Sequence, residues 1–385
     1  MSEINKTKQL ENLFIRKITN RKIRRIFAKT EKKSIKKKES PPEKTSKTAD
    51  APSVVLLNAN RDVDQAKETD LEKKKRDFKT GVEWSRQGIE WLSNSSMGLP
   101  NFLWFIKYVI LSEHKRDMER SARMNWGRWI GEFSGYVLTG QVSMQQALTF
   151  IEDMCKRYIP STVNEKDGEM NEHYMQYAKG MIEEIVYQVS YHQPKNTTLV
   201  LERPIFLEIK DITCLFTGFI DFAFIDEHGR LVKWIELKTS YPTPRGFYKK
   251  DYKDKSGEVK PEGSRIWANA SLPKEPKPFH LSQMSIYANA EKVLGDMLYV
   301  VPNQQSTYFS HEDYEDLQWD RLNLELENIK QKALVRQTLL SLSDDPYKIL
   351  KLIPPEFEHQ FFKNIEPKYK QMIYDLYKNK EEKTA

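Results

Sequence analysis

A chain of 385 residues with 39% hydrophobic side chains has room for one large domain or two ordinary ones. Its only cysteines, Cys155 and Cys214, lie far apart, which excludes a disulfide scaffold or a cysteine-rich zinc site and fits a reducing compartment. The net charge of +7 is concentrated: residues 1–50 hold 16 Lys/Arg against 6 Asp/Glu, whereas the rest of the chain is slightly acidic at −3.

Residues 1–75 read as a disordered basic arm and linker. Leu13, Phe14, Ile18, Ile23 and Phe27, interleaved with Arg16, Lys17 and the basic run 21–25, predict a short amphipathic helix. It suits a nucleic-acid-binding arm or docking onto a replication or recombination protein. A mitochondrial presequence has a similar pattern, but Glu3 and Glu11 weaken that reading. Residues 30–75 are lysine-rich and punctuated by Pro41-Pro42, the composition of a solvated linker. No run of 18 apolar residues occurs and the first residues lack a secretory core, so no membrane association is expected.

Folding is expected to begin near Asp77. Apolar spacing of three to four predicts helices around 102–112, 116–138, 143–157 and 168–192. Thr198–Ile209, Thr213–Ile225 and Leu231–Thr239 are β-branched and aromatic and predict three consecutive strands. Residues 241–278, with six prolines, predict a loop-rich insert. A helix over His280–Leu294, a strand over Met297–Val301 and a long helix over 311–341 follow. Residues 346–385 read as a helical extension with a charged tail. Strands and helices are segregated, which predicts an α+β (mixed α/β) fold with a small sheet beneath a helical N-terminal layer.

The most informative stretch joins Asp221 to Glu236 and Lys238. A two-residue loop at His228-Gly229 pairs Glu227 with Arg230 and places Asp221 opposite Glu236. Glu236 and Lys238, two apart in a strand, share a face. Carboxylates on opposed strand positions, with Cβ atoms roughly 4.5–5.5 Å apart, repel unless a cation joins them. Carboxylate oxygens are the donors that Mg²⁺ or Mn²⁺ accepts. The competing reading is a surface acid pair beside a lysine. Against it, Asp221 lies within Phe219-Ile220-Asp221-Phe222 and Glu236 between Ile235 and Leu237, where an unpartnered acid is costly.

Gly218-Phe219-Ile220-Asp221 followed by Glu236-Leu237-Lys238-Thr239-Ser240 resembles the PD-(D/E)XK nuclease core. Within it, the chain is most similar to the RecB-type exonuclease branch that includes mitochondrial genome maintenance exonucleases. Gln283 and Tyr287, in His280-Leu281-Ser282-Gln283-Met284-Ser285-Ile286-Tyr287-Ala288, match that branch's QxxxY helix. Glu202 matches a glutamate on the preceding strand. Gly127-Arg128-Trp129-Ile130-Gly131-Glu132 resembles a helix motif that usually carries His-Glu, with Gly131 standing where the branch often has histidine. The likeness spans about 120 to 335 and implies a PD-(D/E)XK restriction-endonuclease-like core sheet within a nuclease domain at 76–345. It further implies that Asp221, Glu236 and the Leu237 carbonyl hold Mg²⁺ or Mn²⁺. Either Glu132 supplies a further ligand or that ligand is missing. Lys238 would orient the attacking water or stabilise the transition state, and Gln283 and Tyr287 would fix Lys238 or the nucleic-acid backbone. The implied activity is a metal-dependent DNA exonuclease acting on single strands or free ends in replication, recombination or genome degradation. The alternatives are a structure-selective or sequence-specific endonuclease and a catalytically silent DNA-binding protein. The expected compartment is the cytoplasm or nucleoid of a bacterial or phage-infected cell, with the mitochondrial matrix as alternative.

Basic residues alternating with aromatics suit single strands, whose phosphates attract cations and whose bases stack on rings. Arg245, Tyr248, Lys249, Arg265 and Trp267 of the insert, with Phe247, Lys250, Tyr252 and Lys253, form such a set; a flexible polar loop is the plainer reading. Arg128 is the candidate phosphate contact from the helical layer, with Lys115, Arg116, Arg120 and Arg123. The seven histidines show no metal spacing. His228 reads as a turn residue, and His280, three before Gln283, as a candidate for the site.

Overall fold

The computed structural model describes residues 78–114, 122–157, 166–253, 257, 259–359, 362, 365 and 367–381. The expectations for residues 1–75 and for Lys115, Arg116 and Arg120 lie outside them. Short elements open the described chain: α1 (Val82–Ser85), β1 (Trp91–Leu92), α2 (Asn94–Met97) and α3 (Asn101–Phe105), which runs on into a π-helical turn at Ile106–Ile110. The helical layer follows as α4 (Ala122–Leu138), α5 (Met144–Arg157), α6 (Lys166–Met175) and α7 (Ala178–Tyr191). Ser143 and Gln146 start α5 by a reciprocal exchange: the Gln146 N–H donates to Ser143 Oγ (3.2 Å) and the Ser143 N–H to Gln146 Oε1 (2.8 Å). The helix expected over 168–192 is two helices, because Gln176 turns its Nε2 back onto the His173 carbonyl (2.7 Å) and ends α6 there.

The central sheet is mixed. β2 (Thr198–Leu207), β3 (Leu215–Ile225) and β4 (Leu231–Thr239) form an antiparallel run. β9 (Asp296–Val300) lies parallel to β4, and β10 (Thr307–Phe309) closes that edge antiparallel to β9. β1 pairs in parallel with Leu215 and Phe216 of β3. Helices cover both faces, so the fold is α+β as expected, while the sheet is enclosed rather than capped on one side. One face packs against α4–α7 through Phe222, Phe224, Ile235 and Leu237. The other packs against α8 (Pro278–Glu291) and α9 (Trp319–Ser341) through Ile220, Ala223 and Trp234. Burial of each Ile, Leu and Phe among these is worth roughly 1.5–3 kcal/mol.

Helix α4 lies unusually close to the sheet. A Cβ at Gly127 would fall 2.9 Å from Thr239 Oγ1, at Gly131 3.2 Å from Leu237 Cδ2 and at Gly135 2.8 Å from Leu201 Cδ1. Spaced four apart, the three glycines form one bare stripe that seats the helix over the Glu236-Leu237-Lys238 segment. On the opposite face, Arg336 of α9 is fully buried and donates to the carbonyls of Ser96 (3.1 Å) and Leu99 (2.6 Å), tying the first elements to α9. Burial pushes its guanidinium pKa down to about 9. The C-terminal α10 (Pro346–Leu350) and α11 (Pro367–Glu381) contribute Ile349, Leu350 and Ile373 to this same core, and Phe357 and Tyr377 pack against Phe102 at 5.5 and 5.8 Å.

The insert expected to be loop holds two nested antiparallel pairs, β5 (Thr243–Phe247) with β8 (Arg265–Ala268) and β6 (Tyr252–Lys253) with β7 (Val259–Lys260). Both strands of a two-stranded ribbon are edges, so Pro244 is accommodated inside β5. Among the described residues no helix is long and apolar enough to cross a membrane.

Candidate active site

The β3–β4 ladder pairs Phe222 with Ile235, Ala223 with Trp234 and Phe224 with Lys233, so the next positions along it are Asp221 and Glu236, as expected. The turn that sets this register differs from expectation. The Asp226 N–H donates to the Arg230 carbonyl (2.9 Å) and the Gly229 N–H to the Asp226 carbonyl (3.0 Å), with Gly229 at φ +77°. Asp226, rather than Glu227, faces Arg230, because its carboxylate accepts both the His228 and Arg230 N–H groups (2.9 and 2.8 Å). A bulge then leaves Val232 without a partner on β3 and restores the pairing needed further on.

At the site the ladder gives way to side chains. The Leu237 N–H donates to Asp221 Oδ2 (2.8 Å). Glu236 is 2% exposed, and its Oε1 accepts from Lys238 Nζ (2.7 Å) and Gln283 Nε2 (2.5 Å). Lys238 Nζ also donates to Gln283 Oε1 (2.8 Å). Gln283 Nε2 donates to Tyr287 Oη (2.9 Å), which in turn accepts the Phe219 N–H (3.3 Å). Gln283 and Tyr287, four apart on α8, thus form a rail that holds the lysine. Gly218 admits Tyr287: a Cβ there would meet its Oη and Cε1 at 2.6 Å.

Burial pushes the Asp221 carboxyl well above the ordinary range, and the neighbouring Glu236 charge adds to this; Lys238 and the Leu237 N–H pull the other way. Burial likewise raises Glu236 against the opposing pull of Lys238. The buried Glu236 and the half-buried Asp221, both withdrawn from water beside one lysine, favour retention of a proton until a second cation joins them.

Glu202 lies on β2 between Leu201, which pairs with Phe222, and Arg203, which pairs with Ile220. That sets it across from Asp221, so Glu202, Asp221 and Glu236 form a row across three strands. Its φ of +47° is strained for a residue with a side chain. The inside–outside alternation of both strands inverts at this point. Leu199 and Leu201 pack toward α4–α7, whereas Ile205 and Leu207 join the core beneath α8; Phe222 and Ile220 divide in the same way.

Glu132, one turn along α4 from Arg128, accepts from Tyr136 Oη (2.8 Å). The Tyr136 hydroxyl is raised by burial first and then by the charges of Glu132 and Glu202, so the two glutamates gather around one tyrosine. Among the described residues no three His, Cys, Asp or Glu side chains group closely enough to hold a metal ion. A three-carboxylate centre of Glu132, Asp221 and Glu236 is therefore not assembled in these positions. The residues present do fit a divalent cation at two of the expected ligands. Glu236 Oε2 is buried without a hydrogen-bond partner, and Asp221 stands beside it.

The nucleic-acid candidates divide. Arg128, Arg245 and Lys249 are exposed, and Tyr248 stacks on Tyr252 at 5.2 Å. Arg265 is bound to Glu169 (2.6 Å through each of two nitrogens) and Trp267 is stacked on His173 at 3.7 Å; both hold the insert to α6. His280 Nδ1 lies 2.6 Å from Tyr299 Oη, and burial followed by the Lys238 and Lys277 charges lowers its pKa to about 3. Sequence reasoning overlooked Tyr136 and Tyr299. Tyr136 stands four residues after Glu132, a spacing that signals a shared helix face. Tyr299 is brought beside Lys238 only by the parallel β4–β9 pairing, which no local pattern announces.

No protein-family model matches this chain, and no curated protein matches its sequence. Among solved structures, the protein SSO0001 is similar at 15% identity and a TM-score of 0.24, over 54% of this chain and 93% of its own. A candidate exonuclease from Eubacterium rectale is similar at 11% identity and a TM-score of 0.34, over 67% of this chain and 84% of its own. Likenesses this distant leave the function to be argued from the site.

Proposed function

We propose that this chain is a metal-dependent nuclease, acting as an exonuclease on single-stranded DNA or DNA ends. The observation that carries this reading is the junction of Asp221, Glu236 and Lys238 where the β3–β4 ladder gives way, with Gln283 and Tyr287 holding the lysine. Asp221, Glu236 and the Leu237 carbonyl would hold Mg²⁺ or Mn²⁺, which when bound polarises a phosphodiester and lowers the pKa of water. Lys238, held by Glu236 and Gln283, would bind a water or a phosphoryl oxygen beside those carboxylates. Gln283 has each of its polar atoms engaged, so it sets the lysine's position rather than reacting.

The test is digestion of end-labelled single- and double-stranded DNA with Mg²⁺ or Mn²⁺, comparing wild type with Lys238→Ala. Metal-dependent loss of label in wild type, reduced at least 100-fold in the variant, is the expected result; equal background in both sinks the reading. Cleavage of covalently closed circular DNA would turn the assignment toward an endonuclease. A second reading, a DNA-binding protein without catalysis, draws support from the missing three-carboxylate group and from Gly131. Calorimetry decides between them: divalent-metal binding that depends on Asp221 and Glu236 favours the nuclease.

A further inference from the structure

The segment 243–268 leaves the C-terminal end of β4 shortly after Lys238 and is built in two zones. Its root is immobilised. Arg265 grips the Glu169 carboxylate of α6 through two nitrogens at 2.6 Å and covers one face of Phe247 at 3.8 Å. Trp267 lies flat on His173 with planes 6° apart, and Tyr174 Oη donates to the Pro242 carbonyl (2.7 Å). Beyond the root most of the described side chains face water. Phe247 is 54% exposed and Tyr252 47% exposed, the latter stacked nearly parallel to Tyr248 at 11°. Lys249 and Lys250 are exposed between these rings along the chain, and Arg245, also exposed, occupies the register shift of β5, where a bulge turns a side chain out of the ladder.

A two-stranded ribbon has little core of its own, and leaving large rings in water forfeits burial that a folded chain normally takes. Here the root fastens the ribbon to α6, while the outer rings and cations remain open to a partner. Flat apolar faces alternating with positive charge complement a polyanion whose bases are open to stacking. A duplex keeps its base faces stacked inside, so it satisfies the charges but not the rings. We propose that the 243–268 ribbon is a single-strand grip, in which bases stack on Tyr252 and Phe247 while Arg245, Lys249 and Lys250 follow the phosphates. This deepens the nuclease reading and rests on it for the strand's destination at Lys238.

The test uses the full chain in chelator, so that binding is read without cleavage. Fluorescence anisotropy with a labelled 20-nucleotide single strand, and with its duplex, compares wild type, Tyr252→Ala, Phe247→Ala/Tyr252→Ala and Tyr252→Trp. Tyr252 lies outside the root, so its variants report on the grip even if Phe247→Ala loosens the Arg265 contact. Single-strand affinity is expected to fall about ten-fold or more in Tyr252→Ala and further in the double variant. Duplex affinity should stay within about two-fold, and Tyr252→Trp should bind like wild type. Single-strand affinity within two-fold of wild type in both alanine variants, or equal losses on single strand and duplex, overturns the proposal. The two readings fail separately. Ring-dependent binding by a wild type that never cleaves with Mg²⁺ or Mn²⁺ would sink the nuclease and leave the grip standing. Cleavage without ring dependence would do the reverse.

Discussion

The carboxyl groups of Asp221 and Glu236 are in conflict, and this makes a prediction at the scale of one atom. Asp221→Asn keeps an oxygen to accept the Leu237 N–H while removing one of two desolvated acids beside a single lysine. Without divalent metal the variant should be more stable than wild type by about 1 kcal/mol, a rise of a few degrees in Tm. Adding Mg²⁺ or Mn²⁺ should raise the wild-type Tm, through preferential binding to the folded state, and leave the variant unchanged. Equal metal-induced shifts in both proteins would remove Asp221 from the metal site. Gly218→Ala acts on the opposite side of the same site. The new methyl group would occupy the position of the Tyr287 ring edge, an overpacking that costs about 1–3 kcal/mol. Turnover is expected to drop at least ten-fold as Gln283 loses its anchor, while single-strand binding in chelator stays at the wild-type level. A variant with full turnover would show that Tyr287 is not needed to position Gln283 and Lys238.

At the scale of elements, the junction of β9 with the segment leading to α9 is governed by Asp296. It is fully buried and accepts the His311 N–H (2.8 Å), lies 2.6 Å from His311 Nδ1 and 3.0 Å from Lys233 Nζ, and also accepts from the Tyr308 hydroxyl. Against the cost of burial, these bonds hold its pKa down to about 2, and the bond to Asp296 raises that of His311. The signs follow by linkage. The Asp296 contribution is present above its ordinary range near 3.8 and is lost as pH falls toward about 2. The His311 contribution is full below the ordinary histidine range and disappears as pH rises through the elevated value. Stability from this junction should therefore be greatest between about pH 4 and 6.5. His311→Ala should cost about 1–3 kcal/mol at pH 5.5 and less above pH 8. Thermal midpoints measured across pH check this, and a pH-independent loss would show that His311 acts only by packing.

The same junction shows where sequence was legible and where it stopped. The segregation of helices from strands and the Gln283–Tyr287 spacing were readable, because each depends on a periodicity within one element, whereas the Asp221–Glu236 pairing matched expectation only because the bulge at Val232 offsets the different turn. The expected start of the long helix at 311 was not observed, because His311 serves Asp296 instead, a partner 15 positions away. The ribbon was hidden by its prolines, and the shared surroundings of Glu132 and Glu202 by the inversion of strand alternation at a left-handed glutamate. In each case a contact distant in sequence overrode the local pattern.

At the scale of the whole molecule, charge separates two tasks. Glu202, Asp221 and Glu236 lie in a row across three strands, and residues 51–385 sum to −3, so that part of the chain has no net positive charge with which to attract a polyanion. Residues 1–50, at +10, carry the whole positive excess and, on the proposed function, would draw the DNA toward the chain. A protein that neutralises phosphates releases counterions, and the logarithm of its affinity falls with the logarithm of salt by about 0.7 for each contact on a single strand. Removing residues 1–75 should therefore weaken DNA binding most at low salt and flatten that slope by several units, since 21 basic residues and a net charge of +10 are lost. The metal-induced rise in Tm and the turnover at saturating DNA should be unchanged, because every residue assigned to the site lies at 132 or beyond. An unaltered salt slope would move the electrostatic attraction to the ribbon and to Arg128. Loss of turnover at saturation would make the arm part of the catalytic fold rather than a device for capture.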